Sequence, residues 1–344
     1  MRILIVKTSS LGDIIQSFPV VSFLRKTFPH AQIDWAAESS FKDLLEAFSE
    51  IDRVILFDTR EWRKNLLRDW KKITLAARDL RRTSYDLLID LQGNIKSGII
   101  TRCALAKEKI GTTFSSASEW PSALFLTRRY SLNKKDPISL QYLSIVQRYF
   151  AIEPYAISPK LTLKISKDEE QWIASQLQVA ARIMVCPGSR WENKKLYLTT
   201  WIEILKEIRE KRGAHFYFVW GSPKEEQEAL ALHAQFPNHS TILPQMRLPL
   251  WQRMMSYMDE ILTVDSSALH LAATTGVPTY SFFGPSSALV YKPIGDHHKA
   301  FQGSCPYGKT FLKRCPALRV CKTGACLKTQ GVNHLYSKED QKNL

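Results

Sequence analysis

Four stretches place reactive side chains just after apolar runs. Residues 7–13, Lys-Thr-Ser-Ser-Leu-Gly-Asp, follow an apolar run at 3–6 and precede a helical pattern that includes Ile14, Ile15, Phe18 and Val21. A carboxylate such as Asp13 at the end of a tight loop can be a general base, a ribose ligand or a helix cap. Residues 186–195, Cys-Pro-Gly-Ser-Arg-Trp-Glu-Asn-Lys-Lys, join turn residues to cations. That mix suits a phosphate-facing loop holding Ser189 and Lys194, and equally an ordinary connection with solvated lysines. Residues 220–225 end in Glu225, which can accept hydrogen bonds from a sugar or only complement a helix dipole. In 264–270, Asp265 or Ser266 can cap a small-residue helix at Ser267 and Ala268, whose N–H groups would suit an anion. His270 lies about one turn in, where it can turn back to that end or pack in the core.

Strands alternating with helices must position these loops. Apolar runs at 3–6, 32–36, 54–57, 87–90, 183–186, 215–220, 261–264 and 278–283 read as strands, with helical patterns between most of them. That alternation predicts an α/β fold with parallel sheets covered on both faces. Ligands in such sheets collect outside the carboxyl ends of the strands. A seam near 152–180 divides the chain into an expected N-terminal domain, 1–160, and a C-terminal domain, 161–325, with a polar segment at 326–344. Two Rossmann-like domains facing a central cleft are the economical reading.

The first half carries its own charge pattern. Between residues 60 and 72 there are six cations and two acids. Arg60, Lys64, Arg68 and Lys72 recur every four residues on one face of an expected long helix, whose apolar stripe is Leu66, Trp70, Ile73, Ala77 and Leu80. The 91–97 loop, with Gln92 and Lys96, adds to the same rim. The chain of 344 residues carries a net charge of +15, which favours an anionic partner: a phosphorylated substrate, an anionic membrane surface or nucleic acid. Neither a GxGxxG fingerprint nor a Walker loop is present, against a dehydrogenase or a P-loop NTPase. The start has too short an apolar core for a signal peptide, so a cytoplasmic location is expected, with the cysteines as thiols. Cys103 and Cys186 read as core residues. Cys305, Cys315, Cys321 and Cys326, spaced by nine, five and four residues, match no common zinc pattern. They read as free thiols in a surface loop, with no metal expected.

Five motifs in order resemble the lipopolysaccharide heptosyltransferases of glycosyltransferase family 9: K-T-S-S-x-G-D at 7–13, D-x-Q-G-x-x-K-S at 90–97, P-G-S-R-W-x-x-K at 187–194, G-S-x-x-E at 221–225 and D-S-S-A-L-H-L-A-A at 265–273. The resemblance spans about residues 1–325. The Arg60–Lys64 segment, Ile95-Lys96-Ser97 and residues 115–125 look most like the heptosyltransferase I branch. Departures include Ser266-Ser267 where family members often have Thr-Gly, Ser118 for a basic residue, Gln141 and Ile145 for a histidine and an arginine, and Leu196-Tyr197 for Trp-Pro.

The resemblance implies a GT-B fold and an inverting transfer without metal or other cofactor. L-glycero-D-manno-heptose would pass from ADP-heptose to the Kdo of Kdo-lipid A. The basic charge adds an expected peripheral contact with the anionic inner face of the cytoplasmic membrane, and without aromatics interleaved on a basic strand face no nucleic-acid partner is expected. The resemblance implies Asp13 as general base and Lys194 as the cation on the leaving diphosphate. Ser189, Lys194, Glu225, Asp265, Ser266, Ser267, Ala268 and His270 would bind the donor. Ser10, Gly12, Arg60, Arg63, Lys64, Gln92 and Lys96 would bind the acceptor. A heptosyltransferase II or another family 9 transferase is the nearer alternative. A non-catalytic basic Rossmann protein that binds nucleic acid is the remote one.

Overall fold

The computed structural model describes residues 1–62, 64–152, 160–178 and 180–328, without the side chains of Arg60, Leu66 and Leu67. The chain divides into two compact units, Met1–Ser158 and Pro159–Leu344. The seam expected at 152–180 falls partly on 153–159, and most of the polar segment on 329–344, both outside the described residues.

The first unit holds β1 (Arg2–Val6), β2 (Gln32–Glu38), β3 (Arg53–Phe57), β4 (Ser84–Asp90), β5 (Leu105–Thr112) and β6 (Arg128–Tyr130) in one sheet of order β3-β2-β1-β4-β5-β6. The second holds β7 (Arg182–Cys186), β8 (His215–Phe218), β9 (Ser240–Ile242), β10 (Glu260–Val264), β11 (Thr279–Phe283) and β12 (His298–Gln302), ordered β12-β11-β10-β7-β8-β9. Counted within its own unit, each sheet follows the same doubly wound order, and every strand pair is parallel. The continuous apolar runs of the central strands reflect burial on both faces: Ile3 to Val6 in β1 and Glu260 to Val264 in β10 are all buried.

This order decides where chemistry can sit. Chain direction from β1 leads to one side of its sheet and chain direction from β4 to the other. The loops after these neighbours therefore diverge and leave a crevice at their carboxyl ends. Val6 lies beside Asp90 in that register, so residues 7–13 and 91–97 leave the sheet together. In the second sheet β7 and β10 are the equivalent pair, with Cys186 beside Thr263.

The helical pattern expected from Arg60 onward is interrupted. A short helix, Thr59–Trp62, is followed by a separate one, Leu66–Arg81, whose N-terminus is capped by Asn65 accepting from the Arg68 N–H at 3.0 Å. The break cancels the four-residue spacing that put Arg60 and Lys64 on one face with Arg68 and Lys72. Arg68 and Lys72 instead bracket Asp69 at 2.9 and 3.3 Å, while that carboxylate is only 2% exposed. Of the expected apolar stripe, Leu80 is buried but Trp70 is 55% exposed. Gln141 and Ile145, two of the departures from the family pattern, are buried in the helix Ile138–Phe150.

Candidate active site

At the first switch point the small-residue loop is held from two sides. The Gln92 side-chain oxygen accepts the N–H groups of Thr8 and Ser9 at 3.1 and 3.0 Å. Gln92 thus pins the 7–13 loop to the β4 loop rather than simply lining an acceptor pocket. Asp90, buried at the end of β4, accepts the N–H groups of Gln92 and Gly93 at 2.9 and 3.0 Å and the Ser97 hydroxyl at 2.8 Å. Burial pushes its carboxyl up, and those hydrogen bonds pull against it. Gly93 turns the corner with φ near +63°, which a side chain would strain.

Lys7 is also buried, with its ammonium donating to Leu91 O at 3.1 Å and the Tyr142 hydroxyl at 2.8 Å, and lying 4.6 Å from the Tyr142 ring centre. Burial lowers its pKa, opposed by the charges of Asp13 and Asp90. Asp13 itself is half-buried. Its Oδ2 accepts the Ser10 hydroxyl at 2.6 Å and the Ser10 N–H at 3.3 Å, closing the first turn of the helix Leu11–Ile15. The carboxylate therefore serves as a capping group here, and a role in proton transfer would come in addition. Gly12 contributes its carbonyl to that turn, accepting the Gln16 N–H at 3.0 Å.

The expected acceptor rim is only partly assembled. Lys96 donates to Thr59 Oγ1 at 3.1 Å and lies 3.7 Å from the buried Glu38, whose carboxylate also accepts the Thr59 hydroxyl. That acid is a partner the sequence reading missed, and it neutralises Lys96 locally. Lys64 pairs with Glu61 at 2.8 Å, both more than half exposed, an arrangement of little energetic weight. Arg63 and the Arg60 side chain lie outside the described residues.

The second switch point is built around a buried ion pair. Lys194 Nζ donates to Asp265 Oδ2 at 2.5 Å, and Ser286 donates its hydroxyl to the same oxygen. Burial alone would raise the Asp265 carboxyl, but Lys194, Ser286 and the nearby His270 hold it below the ordinary carboxylate range. Lys194 and Lys195 are not the solvated lysines of the alternative reading. Lys195 is 5% exposed and reaches Glu228 at 3.0 Å and Glu192 at 3.2 Å. Glu225 joins two loops: its Oε2 accepts the Gly221 N–H at 2.9 Å, and a Cβ on Gly188 would fall 2.5 Å from its Oε1. Any side chain at Gly188 would therefore have to displace that carboxylate from its place against the β7 loop. Ser189 Oγ stands 3.5 Å from the Trp191 N–H.

Ser266 caps the helix Ser267–Ala273 by accepting the Ala268 N–H at 3.3 Å. One of the donors expected to face an anion is therefore already engaged. His270 is buried in that helix beside Asp265. Ser286 could have been found from the tight Phe283-Gly284-Pro285 loop after β11, but nothing in its spacing signals a carboxylate partner 21 residues away.

The late cysteines depart from the surface-loop expectation. Cys315 and Cys326 are buried, and the segment folds against residues 283–285. Gly303 and Cys315 donate their N–H groups to Phe283 and Pro285, each at 2.8 Å. Burial, followed by the charges of the Cys305, Cys321 and Cys315 thiols, pushes Cys326 up to about 11. Asn193 ties this segment to the β7 loop, donating to Leu318 O at 2.7 Å and Cys321 O at 3.1 Å. Among the described residues no group of three or more His, Cys, Asp or Glu side chains is arranged to hold a metal ion.

Residues 73–320 match the model of "Glycosyltransferase family 9 (heptosyltransferase)". The chain belongs to glycosyltransferase family 9. This family 9 enzyme is 30% identical to lipopolysaccharide heptosyltransferase 1 of Pseudomonas aeruginosa over 294 residues, covering 83% of this chain and 79% of that one. It is 28% identical to lipopolysaccharide heptosyltransferase 1 of Salmonella typhimurium over 304 residues, covering 87% and 93%. Its fold is that of the E. coli heptosyltransferase WaaC solved with ADP-2-deoxy-2-fluoro heptose, with a TM-score of 0.75, 24% identity and coverage of 88% and 94%. The architecture is therefore GT-B, and the chain is a glycosyltransferase. Among the described residues, no helix is long and apolar enough to cross a membrane.

Proposed function

We propose that this family 9 glycosyltransferase moves L-glycero-D-manno-heptose from ADP-heptose to the Kdo of Kdo-lipid A, with inversion at the anomeric carbon. The observation that carries the reading is the division of chemistry between the two switch points: a carboxylate on a half-exposed loop in the first unit, a buried lysine with its counter-ion in the second. The relatives that are heptosyltransferases 1, and the ADP-2-deoxy-2-fluoro heptose with which WaaC was solved, support the donor and the reaction class.

Displacement at an anomeric carbon runs through an oxocarbenium-like state, so two charges need attention. Asp13 takes the proton of the accepting hydroxyl as the new glycosidic bond forms, the Ser10 hydroxyl holding one carboxylate oxygen in place. The leaving ADP takes the bonding electron pair. Lys194 stabilises the developing diphosphate charge, because an ammonium has three N–H donors and Asp265 accepts from one of them. The Lys194 cation supplies this field without a metal. Glu225, its Oε2 held by the Gly221 N–H, accepts hydrogen bonds from the donor's hydroxyls, and Asp265, Ser266, Ser267, Ala268 and His270 shape the same end of the second sheet. The basic residues of the first unit, Arg60, Arg63 and Lys64, serve the anionic acceptor, with Lys96 held by Glu38 as a positioning group. The net charge of +15 supports work at the anionic inner face of the cytoplasmic membrane.

The test is transfer from ADP-heptose to Kdo-lipid A by Asp13→Asn. Asparagine keeps the size of the loop but cannot take the proton. Turnover is expected to fall roughly 10²- to 10⁴-fold with ADP-heptose affinity unchanged. Near-normal turnover in the folded variant would leave Asp13 with its capping role alone. A wild-type enzyme that ignores Kdo-lipid A but heptosylates an already heptosylated core would move the acceptor one step along.

A further inference from the structure

The outer face of the helix Leu66–Arg81 carries groups that neither switch point uses. At 100° per residue, Trp70, Lys71, Thr74, Leu75, Arg78 and Arg81 fall within an arc of about 140°. All six are exposed, Trp70 at 55% and Leu75 at 61%. The helix's two acids lie off this arc. Asp69 is buried between Arg68 and Lys72, and Asp79 is paired with Arg53 at 2.7 Å. The arc thus holds three cations, a tryptophan and a leucine, and no negative charge. The helix packed beside it, Ile95–Cys103, exposes two further large apolar side chains, Ile95 at 49% and Ile99 at 56%.

We propose that this face is the surface by which the enzyme sits on an anionic phospholipid bilayer, with Trp70 and Leu75 entering the boundary between headgroups and acyl chains. The inference rests on the proposed work at an anionic membrane and assigns it a surface. On this arc Trp70 and Leu75 stand at the two edges, with Arg81, Arg78 and Lys71 between them. Cations at headgroup level are thus flanked by an aromatic and an aliphatic side chain that reach past them into the boundary. The Lys71 ammonium lies 5.9 Å from the Trp70 ring centre, so charge and ring form one unit on that face. Charge also selects among occupants. A second copy would bring like charges together, which opposes self-pairing. Single-stranded RNA would engage Lys71, Arg78 and Arg81 but would leave Leu75 without a use, and such sites present several aromatics in a groove.

The test is sedimentation of the full chain with phosphatidylglycerol–phosphatidylcholine vesicles, against phosphatidylcholine alone. Trp70→Ala with Leu75→Ser should lower partitioning roughly ten-fold. Lys71→Gln with Arg78→Gln should lower it about five-fold per charge and flatten its salt dependence. Matched changes on exposed cations of the second unit, Lys206→Gln and Lys309→Gln, should leave it within about two-fold, and a loss equal to that of the helix variants would overturn the assignment to this face. Turnover on a soluble Kdo acceptor without acyl chains should stay at the wild-type level in all three. Wild-type protein that fails to bind the anionic vesicles removes the membrane reading itself. Wild-type binding that both helix variants retain removes this surface and leaves that reading standing. Displacement of the vesicles by RNA through the same residues would also overturn the assignment.

Discussion

The two switch points have the same topology and opposite electrostatic designs. Both bury a lysine, Lys7 in the first and Lys194 in the second. The group proposed to act in the first is a carboxylate on the half-exposed loop after β1, held by Ser10 three residues away. After β7 and β10, it is a lysine buried against an acid 71 residues away. A group that must exchange a proton with substrate gains from access and short local supports. A cation that must hold charge in a dry site needs a counter-ion, because an unpaired buried charge costs several kcal/mol. On the proposed mechanism the same fold would carry a mobile proton in one unit and a fixed field in the other.

The sharpest way to break this contrast is to remove the counter-ion. Asp265→Ala should destabilise the second unit by about 3–5 kcal/mol, whereas Asp265→Leu combined with Lys194→Met should restore much of that stability without activity. Denaturant unfolding measures both, and equal loss in single and double variants would mean the pair is not a unit.

Acid provides a second test confined to the second unit. His298 is buried on Thr279, and burial first, then the charges of His297 and Lys292, lowers it to about 3. The native state holds it neutral while the unfolded chain takes up a proton below its ordinary pKa of about 6.5. Its contribution is thus complete above that pH and is lost as the pH falls towards 3, by roughly 1.4 kcal/mol per unit. The difference between His298→Gln and wild type should shrink along that range; a constant difference would exclude this group as the cause.

Gly188→Ala should cost about 1–3 kcal/mol or displace Glu225, read as a raised donor KM with acceptor KM unchanged. Its added Cβ has only 2.5 Å to the carboxylate oxygen. The smallest expected effect belongs to the first unit. Ser10→Ala should cost about 1 kcal/mol of stability and leave turnover within several-fold, because Asp13 keeps the Ser10 N–H. A loss as deep as that of Asp13→Asn would make Ser10 part of the proton path.

Sequence pattern revealed the central strands because apolar runs buried on both faces have no other use. It missed the short edge strands β6 and β9, the polar edge strand β12, and β5, whose Leu-Ala-Lys-Glu-Lys start is mixed. The loops bearing Asp13, Lys194, Glu225 and Asp265 were legible because turn residues next to charged ones stand out after a strand. Their partners were not. Nothing near Lys96 in sequence names Glu38 or Thr59, and the 60–72 charge run hid a cap at Asn65 that splits it into two helices.

The sequence by itself determined the period of the elements, the order of strand and helix, and the chemical types at each strand's end. These are local properties, set by side-chain size and polarity along a few residues. Tertiary structure alone decided that β1 and β4, and β7 and β10, lie side by side, and so which distant groups share a site. It also decided which charges are spent on each other, as Lys194 is on Asp265, and which face outward, as Lys71 and Arg78 do on the helix Leu66–Arg81. Burial turns a charge into a partner-dependent group, and burial is a property of the packed sheet rather than of any one segment.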